Sequence, residues 1–80
     1  MKKLNQEQLN EIIRKHGLWL ENKEGGERAD ISYCDCSGLD FSEANMYGAN
    51  MSRANMEDAN MSWANMSWAN MHRANMHRAN

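Results

Sequence analysis

The stretch that decides the fold runs from Ala29 to Asn80 and reads, in steps of five, ADISY CDCSG LDFSE ANMYG ANMSR ANMED ANMSW ANMSW ANMHR ANMHR AN. Ten whole units follow one another without a gap, and two residues of an eleventh come last. Each unit begins with a small or apolar residue, continues with Asp or Asn and then an apolar residue, and ends in two variable, mostly polar residues. Repetition this regular predicts a repeat architecture in which each unit packs on its neighbours.

The five-residue period fits neither an α-helix nor an ordinary strand. On a helix, third-position side chains would turn by about 140° from one unit to the next, so no face would collect them. Within a unit the apolar first and third positions alternate as in a strand, and the alternation slips by one residue at each unit boundary. The pattern predicts short extended pieces joined by corners, with first and third side chains pointing inward and the last two turning outward.

The repeat resembles the pentapeptide-repeat family, whose units read roughly Ala, Asp or Asn, Leu or Phe, and two variable residues. The resemblance covers 52 of the 80 residues in one register. It implies an all-β fold, a right-handed quadrilateral parallel β-helix with four units to a coil and third-position residues in its interior. In this register the predicted core stack consists of Ile31, Cys36, Phe41, Met46, Met51, Met56, Met61 and Met66.

The interior of this chain departs from the family pattern, because seven Met residues from Met46 to Met76 stand where Leu or Phe is usual. Met is flexible and fills irregular gaps, so we expect a packed but less rigid interior. Cys34 and Cys36 occupy the first and third places of the second unit and are expected to pack inward. A metal or redox pair is the alternative, although a zinc site would need further Cys or His nearby. Asn at the second position is expected to form hydrogen-bonded ladders between coils.

Residues 1–28 precede the repeat block at 29–80 and predict a capping helix followed by a turn. Asn5 is a good N-cap and Gln8 completes a capping box, which Leu4 and Leu9 extend as a staple. Gly17 is typical of a helix end, so the helix is predicted from about residue 6 to residue 16.

The predicted helix needs a surface on which to dock, and the open first coil offers one. Residues 18–20 are expected to form a short strand that enters the coil, and Gly25 and Gly26 are expected to form a turn. The residues predicted to cap the first coil are Leu9, Ile12, Ile13 and Trp19.

The opposite end of the predicted solenoid has no such cover, because the chain stops in mid-unit at Asn80. Three explanations compete: self-association through that end, truncation within a longer array, and a frayed last coil. We expect end-to-end association of two copies, since it would bury the exposed edge.

Outward positions supply the candidate site. Exposed Trp and Arg are enriched in protein interfaces. The alternative is that the SWANM and HRANM units were duplicated recently and repeat by copying alone. The predicted interface residues are Trp63, Trp68, Arg53, Arg73, Arg78, Met71 and Met76.

No catalytic or cofactor-binding motif accompanies the repeat, so we expect a protein that is not an enzyme and binds no cofactor or metal. His72 and His77 lie one unit apart without carboxylate or thiol companions, and we expect them to be solvated surface residues. The net charge is -2, which does not favour direct nucleic-acid binding. No apolar run reaches membrane-spanning length and no signal peptide is evident, so a cytoplasmic location is expected.

Two functions remain. In the first, the rod binds a protein partner of unknown identity, as a DNA mimic that inhibits a nucleic-acid enzyme. The family resemblance includes gyrase inhibitors of this kind. In the second, the rod is a structural or self-assembly module. The repeat block carries six acidic residues against three Arg, with the acids concentrated in its first half and two of the Arg in its last two units, which weakens mimicry along the whole rod.

Overall fold

The computed structural model describes all residues from Met1 to Asn80 and contains one helix, α1, at Gln6–Leu20. The capping box is confirmed: Asn5 Oδ1 accepts the backbone N–H of Gln8 at 2.7 Å, and the Asn5 N–H donates to Gln8 Oε1 at 2.9 Å. These two bonds satisfy backbone N–H groups that a helix N-terminus otherwise leaves unpaired.

The predicted helix end at residue 16 is wrong, and so is the predicted strand at residues 18–20. The helix passes through Gly17 and continues for one more turn. A mid-helix glycine costs only about 1 kcal/mol, and packing outweighs this cost here. The turn at Gly25 and Gly26 folds back onto the last helical turn, so closely that a Cβ on Gly26 would lie 2.4 Å from the Trp19 nitrogen. The Glu27 N–H then donates to the Lys15 carbonyl at 3.1 Å and holds the turn against the helix.

The strand that meets the first coil comes before the helix. Strand β1, Lys2–Lys3, pairs in parallel with β2, Cys34–Asp35, and these are the only two regular strands. The helix is too short and too polar to cross a membrane.

From Ala29 onward the chain is a β-helix solenoid, whose successive coils pair through single bridges instead of long strands. Third- and fifth-position N–H groups donate to second- and fourth-position carbonyls one coil further on, as Ile31 does to Asn50 at 2.9 Å. Every bridge joins residues twenty apart, so four units make one coil. The bridged pairs are Asp30 with Asn50, Asp35 with Asn55, Asp40 with Asn60, Asn45 with Asn65, Asn50 with Asn70, and Asn55 with Asn75.

Each corner is made by the second and fifth residues of a unit. In all ten units the second-position side chain accepts the N–H of the fourth residue, as Asp30 does from Ser32 at 3.0 Å. This local bond is the reason for Asp or Asn there, since both side chains form such turns readily. The fifth residue has a positive φ, between 56° and 72°, in every unit. A four-residue turn whose third residue has positive φ changes the direction of the chain, and each such turn forms one corner of the coil.

The predicted ladders between coils are present at four places, where a second-position amide donates to the side chain one coil earlier at 3.2 to 3.5 Å. They are longer than the corner bonds and fewer. The corner bond is therefore the main reason for Asp or Asn at the second position, and the ladder bonds between coils add to it.

Third-position side chains fill the interior together with first-position alanines. Of the predicted core stack, the residues from Ile31 to Met56 are buried, whereas Met61 and Met66 in the last coil are only partly buried. Leu4 and Leu9 from the capping segment belong to the same hydrophobic cluster, and Ile12 and Ile13 pack against it. One core thus runs from the helix into the solenoid and thins toward the far end.

The first coil is covered by polar groups of the capping segment as well as by apolar ones. The Gln6 side-chain amide imitates a missing strand: its Nε2 donates to the Asp40 carbonyl and its Oε1 accepts the Asp40 N–H, both at 2.8 Å. His16 is fully buried and spans the opening. Its Nδ1 accepts the Ala29 N–H at 2.9 Å, so Nε2 carries the proton and donates to the Tyr47 carbonyl at 2.8 Å.

Candidate interaction surface

Within residues 1–80, no segment packs over the far end of the solenoid as the capping segment packs over the first coil. Third- and fifth-position N–H groups of the last coil would donate to a further coil, and they have no partner within the chain. They belong to Trp63, Met66, Trp68, Met71, Arg73, Met76 and Arg78. Such an edge offers free donors and acceptors to another polypeptide.

Apolar side chains lie inside this unpaired rim. Met71 is 36% exposed, and Met61, Met66 and Met76 are partly buried. Their burial contrasts with the complete burial of Met46, one coil earlier on the same side as Met66. We call the rim and these four Met side chains the open end.

The open end is a spiral ramp, because the chain rises by one coil for every four units. The Met61 N–H donates to the Asn80 carbonyl at 3.0 Å, so the last residue lies directly above the place where the exposed turn begins. The climb from one to the other equals one coil, about 4.8 Å.

Four outward side chains surround the ramp, one from each unit of the last coil. We call these four, Trp63, Trp68, Arg73 and Arg78, the collar. The two Trp side chains are 91% and 83% exposed. Exposed indole rings leave a large apolar surface in water, and Trp and Arg are among the residues enriched at the hot spots of protein interfaces. The collar therefore has the composition of a binding surface.

The two arginines of the collar differ in their surroundings. Arg78 forms an ion pair with Asp58, one coil earlier on the same side, with Nε 2.9 Å from Oδ1. Arg73 has neither an ion pair nor a side-chain hydrogen bond, and the residue one coil earlier on its side is Arg53, another cation. The Arg53 guanidinium in turn lies over the Tyr33 ring, 5.6 Å from its centroid. Fifth-position residues one coil apart can thus stack as cation on aromatic ring.

The structure brings most of the predicted interface residues together at the open end. Trp63, Trp68, Arg73 and Arg78 form the collar, and Met71 and Met76 lie inside it. Arg53 is one coil away and is occupied with Tyr33, so it lies outside the surface.

Trp19 is not part of the core. It stacks on the His16 ring with centroids 5.4 Å apart and is 42% exposed, because it lies in the helical turn that sequence analysis predicted to be a strand. Its neighbour His16, at the predicted end of the helix, is the residue that spans the first coil.

The groups able to carry chemistry lie apart from one another. Burial, with smaller contributions from Cys34 and Asp35, raises the pKa of the Cys36 thiol to about 12, and burial also raises the pKa of Cys34. Both cysteines are free. No three His, Cys, Asp or Glu side chains lie close enough to hold a metal ion, and His72 and His77 are exposed. One shallow cavity of about 190 Å³ lies between the helix and the first unit and is lined mostly by charged residues.

Three features were missed by sequence reasoning. Neither the Gln6 amide on Asp40 nor the His16 bridge has a sequence signal, since both depend on where the helix docks. The positive φ at the fifth position does have a sequence signal, because two units carry glycine there, at Gly38 and Gly48. Glycine tolerates positive φ without strain, and two occurrences in one register indicate the requirement.

The repeat geometry agrees with a family comparison. The family described as Pentapeptide repeats matches residues 27–62 and 49–80, with 8 copies of the repeat, and together these ranges cover more than half of the chain. No curated protein matches the sequence. The chain belongs to the pentapeptide-repeat family.

Proposed function

We propose that this repeat protein is a non-enzymatic module that binds protein through the open end of its solenoid. The observation that carries the proposal is the asymmetry of the two ends. Gln6, His16 and strand β1 pair with the backbone of the first coil, whereas the last coil exposes unpaired N–H groups, Met side chains and two indoles. An apolar patch framed by unpaired backbone is what another polypeptide covers most readily.

A second copy of the chain is the occupant that fits this end. The rim carries both N–H donors and carbonyl acceptors, so two rims can satisfy each other. The capping helix blocks the opposite end, so association stops at two copies and gives a closed dimer instead of a fibre. A right-handed, four-sided coil, which the family resemblance implies, belongs to this proposal as the shape of the rod.

The size of the end sets the expected affinity. The molecule measures 34 × 23 × 20 Å, and we take a face spanned by the two shorter dimensions, about 460 Å², as the size of the end in each copy. Two such faces bury less than the roughly 1,200–2,000 Å² of a standard stable interface, so a dissociation constant in the micromolar range is expected.

Light scattering over a concentration series tests the proposal. The chain has a mass of 9.2 kDa, and the proposal predicts that the observed mass doubles as concentration rises. The variant M71K/M76K places two charges inside the rim and is expected to stay monomeric. The control S62K/S67K places the same charges on outward fourth positions and is expected to dimerise. A wild-type mass that never rises above one chain would refute self-association.

DNA mimicry is the second candidate and rests on the acidic first coil. Asp30, Asp35 and Asp40 lie on three successive sides, but the last coil carries Arg73 and Arg78, so negative charge does not extend along the rod. Phosphate repetition dominates DNA affinity, so a mimic needs that extension. Inhibition of a gyrase supercoiling reaction by the wild type, lost in D30N/D35N/D40N, would support mimicry. The Asn side chains retain the corner bond, so a loss of inhibition would reflect charge.

A further inference from the structure

We propose that one lateral face of the solenoid binds single-stranded nucleic acid, whose bases stack on exposed aromatic rings and whose phosphates are held by arginines. The face runs along the rod and consists of two adjacent sides of the coil. Units twenty residues apart lie on the same side, so one side is built by units 44–48 and 64–68, and the next by units 29–33, 49–53 and 69–73. We call it the basic-aromatic face, and its main residues are Arg28, Tyr33, Tyr47, Arg53, Trp68 and Arg73.

Charge is divided unequally between the sides of the rod. Residues 44–53 and 64–73, which belong to the basic-aromatic face, include two arginines and one histidine but no carboxylate. The other two sides hold one arginine, Arg78, which is paired with Asp58. They also hold five of the six carboxylates of the repeat block, Asp35, Asp40, Glu43, Glu57 and Asp58. The net charge of -2 therefore conceals a positive strip on one face of the rod.

The arginines of this face have no anionic partner within the chain. The four ion pairs of the molecule involve none of Arg28, Arg53 and Arg73. Arg28 lies along the face because its Nε donates to the Gly48 carbonyl at 2.7 Å, and Arg53 lies over the Tyr33 ring. A guanidinium without a carboxylate partner is well suited to bind a phosphate group.

Carboxylates border the face only at the end next to the helix. They belong to Glu27, which precedes the repeats, and to Asp30 in the first unit. The Asp30 Oδ1 already accepts the Ser32 N–H at 3.0 Å and the Ser32 hydroxyl at 2.6 Å. The positive part of the face is therefore its second and third coils.

Three aromatic rings lie among the arginines and are open to solvent. Tyr33, Tyr47 and Trp68 are 58%, 42% and 83% exposed. Gly48 lies one coil before Trp68, and a Cβ built on it would meet no atom within 4 Å, so the space beside the indole is open.

This exposure does not depend on where the last coil ends. A further coil already packs against the Tyr33 unit, since the Tyr33 N–H donates to the Ser52 carbonyl at 3.0 Å, and the ring is still mostly exposed. Outward side chains of this fold therefore stay accessible from the side when another coil follows.

The combination of free arginines and exposed rings favours a single strand over other anionic partners. Bases stack on aromatic side chains only when their faces are free, and a duplex keeps those faces covered. An acidic peptide would satisfy the arginines and offer no flat ring to Trp68. The three arginines also fix the expected salt dependence. Three phosphate contacts to a single strand give a slope of about -2 for the logarithm of affinity against the logarithm of salt concentration.

The repeats supply matched variants for the test. Trp68 on the basic-aromatic face and Trp63 on the acidic sides stand in identical ANMSW units, so W68A and W63A remove the same ring from different faces. Arg73 and Arg78 stand in identical ANMHR units, so R73A and R78A change the net charge equally. All four positions are exposed, and far-UV circular dichroism verifies that the variants fold.

Fluorescence anisotropy of labelled oligonucleotides measures binding between about 50 and 200 mM salt. The probes are dT and U homopolymers of about 12 nucleotides, which distinguish DNA from RNA as the source of the strand. W68A is expected to weaken binding about tenfold, and W63A by less than about twofold. R73A is expected to reduce the salt slope to about -1.4, whereas R78A is expected to keep it near -2.

Three results would overturn the proposal. The first is a wild type that binds neither oligonucleotide at low salt. The second is an equal loss of binding within each matched pair, because the basic-aromatic face would then have no special role. The third is equally tight binding of polyglutamate or inorganic polyphosphate, unaffected by W68A, because the site would then recognise acidic chains without bases. The face lies along the sides of the rod, so these results do not depend on whether the open end forms a dimer.

Discussion

Replacement of His16 by Leu tests how the capping segment holds the first coil. Leu fills a similar volume without polar atoms, so the change removes two hydrogen bonds and leaves little cavity. The Ala29 N–H, buried beneath the ring, would lose its acceptor at Nδ1, and the Tyr47 carbonyl would lose its donor at Nε2.

The magnitude follows from these two losses. A buried donor left unpaired costs about 1–3 kcal/mol, and loss of an ordinary hydrogen bond, as at the partly solvated Tyr47 carbonyl, costs about 0.5–1.5 kcal/mol. H16L is therefore expected to lower the free energy of unfolding by about 2–4 kcal/mol. In a domain of this size such a loss corresponds to a fall in melting temperature of roughly 10–25 °C.

Urea unfolding followed by far-UV circular dichroism measures this difference, with all chains at one concentration because dimerisation adds to apparent stability. H72L is the matched control: it makes the same substitution at an exposed histidine and is expected to change stability by less than about 0.5 kcal/mol. If H16L and H72L unfold alike, the histidine bridge does not hold the cap.

Three further predictions concern the repeats. Hydrogen bonds from the serine two residues further on lower the pKa of three carboxyls. The stability that these carboxylates contribute is complete above the unfolded Asp pKa of about 3.9, and it is lost as the pH falls through their lower pKa values in the folded chain. The loss of stability between neutral and acid pH should therefore be smaller once all three are replaced by Asn, which keeps the corner bond; the residues are Asp30, Asp35 and Asp40. Iodoacetamide at about pH 8 should modify Cys36 only when the chain unfolds, because burial keeps its thiol protonated. The half-buried Cys34 should be modified sooner, and peptide mass mapping can distinguish the two cysteines. E43V should lower the free energy of unfolding in urea by about 1 kcal/mol or more, and E43N should leave it nearly unchanged. Glu43 has a φ of 61°, which β-branched residues tolerate least and Asn tolerates well.

The repeat block could be predicted from the sequence because its fold depends on local rules repeated ten times. Inward first and third positions and the corner after each unit follow from the period, and the second-position Asp or Asn has a local bond that favours it. The helix end predicted at Gly17 and the strand predicted at residues 18–20 are both wrong, because a single glycine does not end this helix. Packing of the Gly25–Gly26 turn against the last helical turn decided otherwise, and that contact joins residues whose approach no local pattern encodes.

The candidate site was predicted by residue type but not by arrangement. Exposed Trp and Arg could be identified as soon as four units were assigned to a coil, whereas the ramp and the ion pair of Arg78 with Asp58 required coordinates. The protein partner, the absence of enzymatic activity and the cytoplasmic location stay predictions.

The central claim is that a second copy covers the open end, and amide hydrogen exchange at increasing protein concentration tests it most directly. The account predicts that the N–H groups of Met66, Met71 and Met76, which have no acceptor within the chain, become protected as concentration rises through the micromolar range. The Ile31 N–H, bonded to Asn50, should be protected at every concentration. Rapid exchange of the three Met amides at all concentrations, with Ile31 protected, would contradict the account.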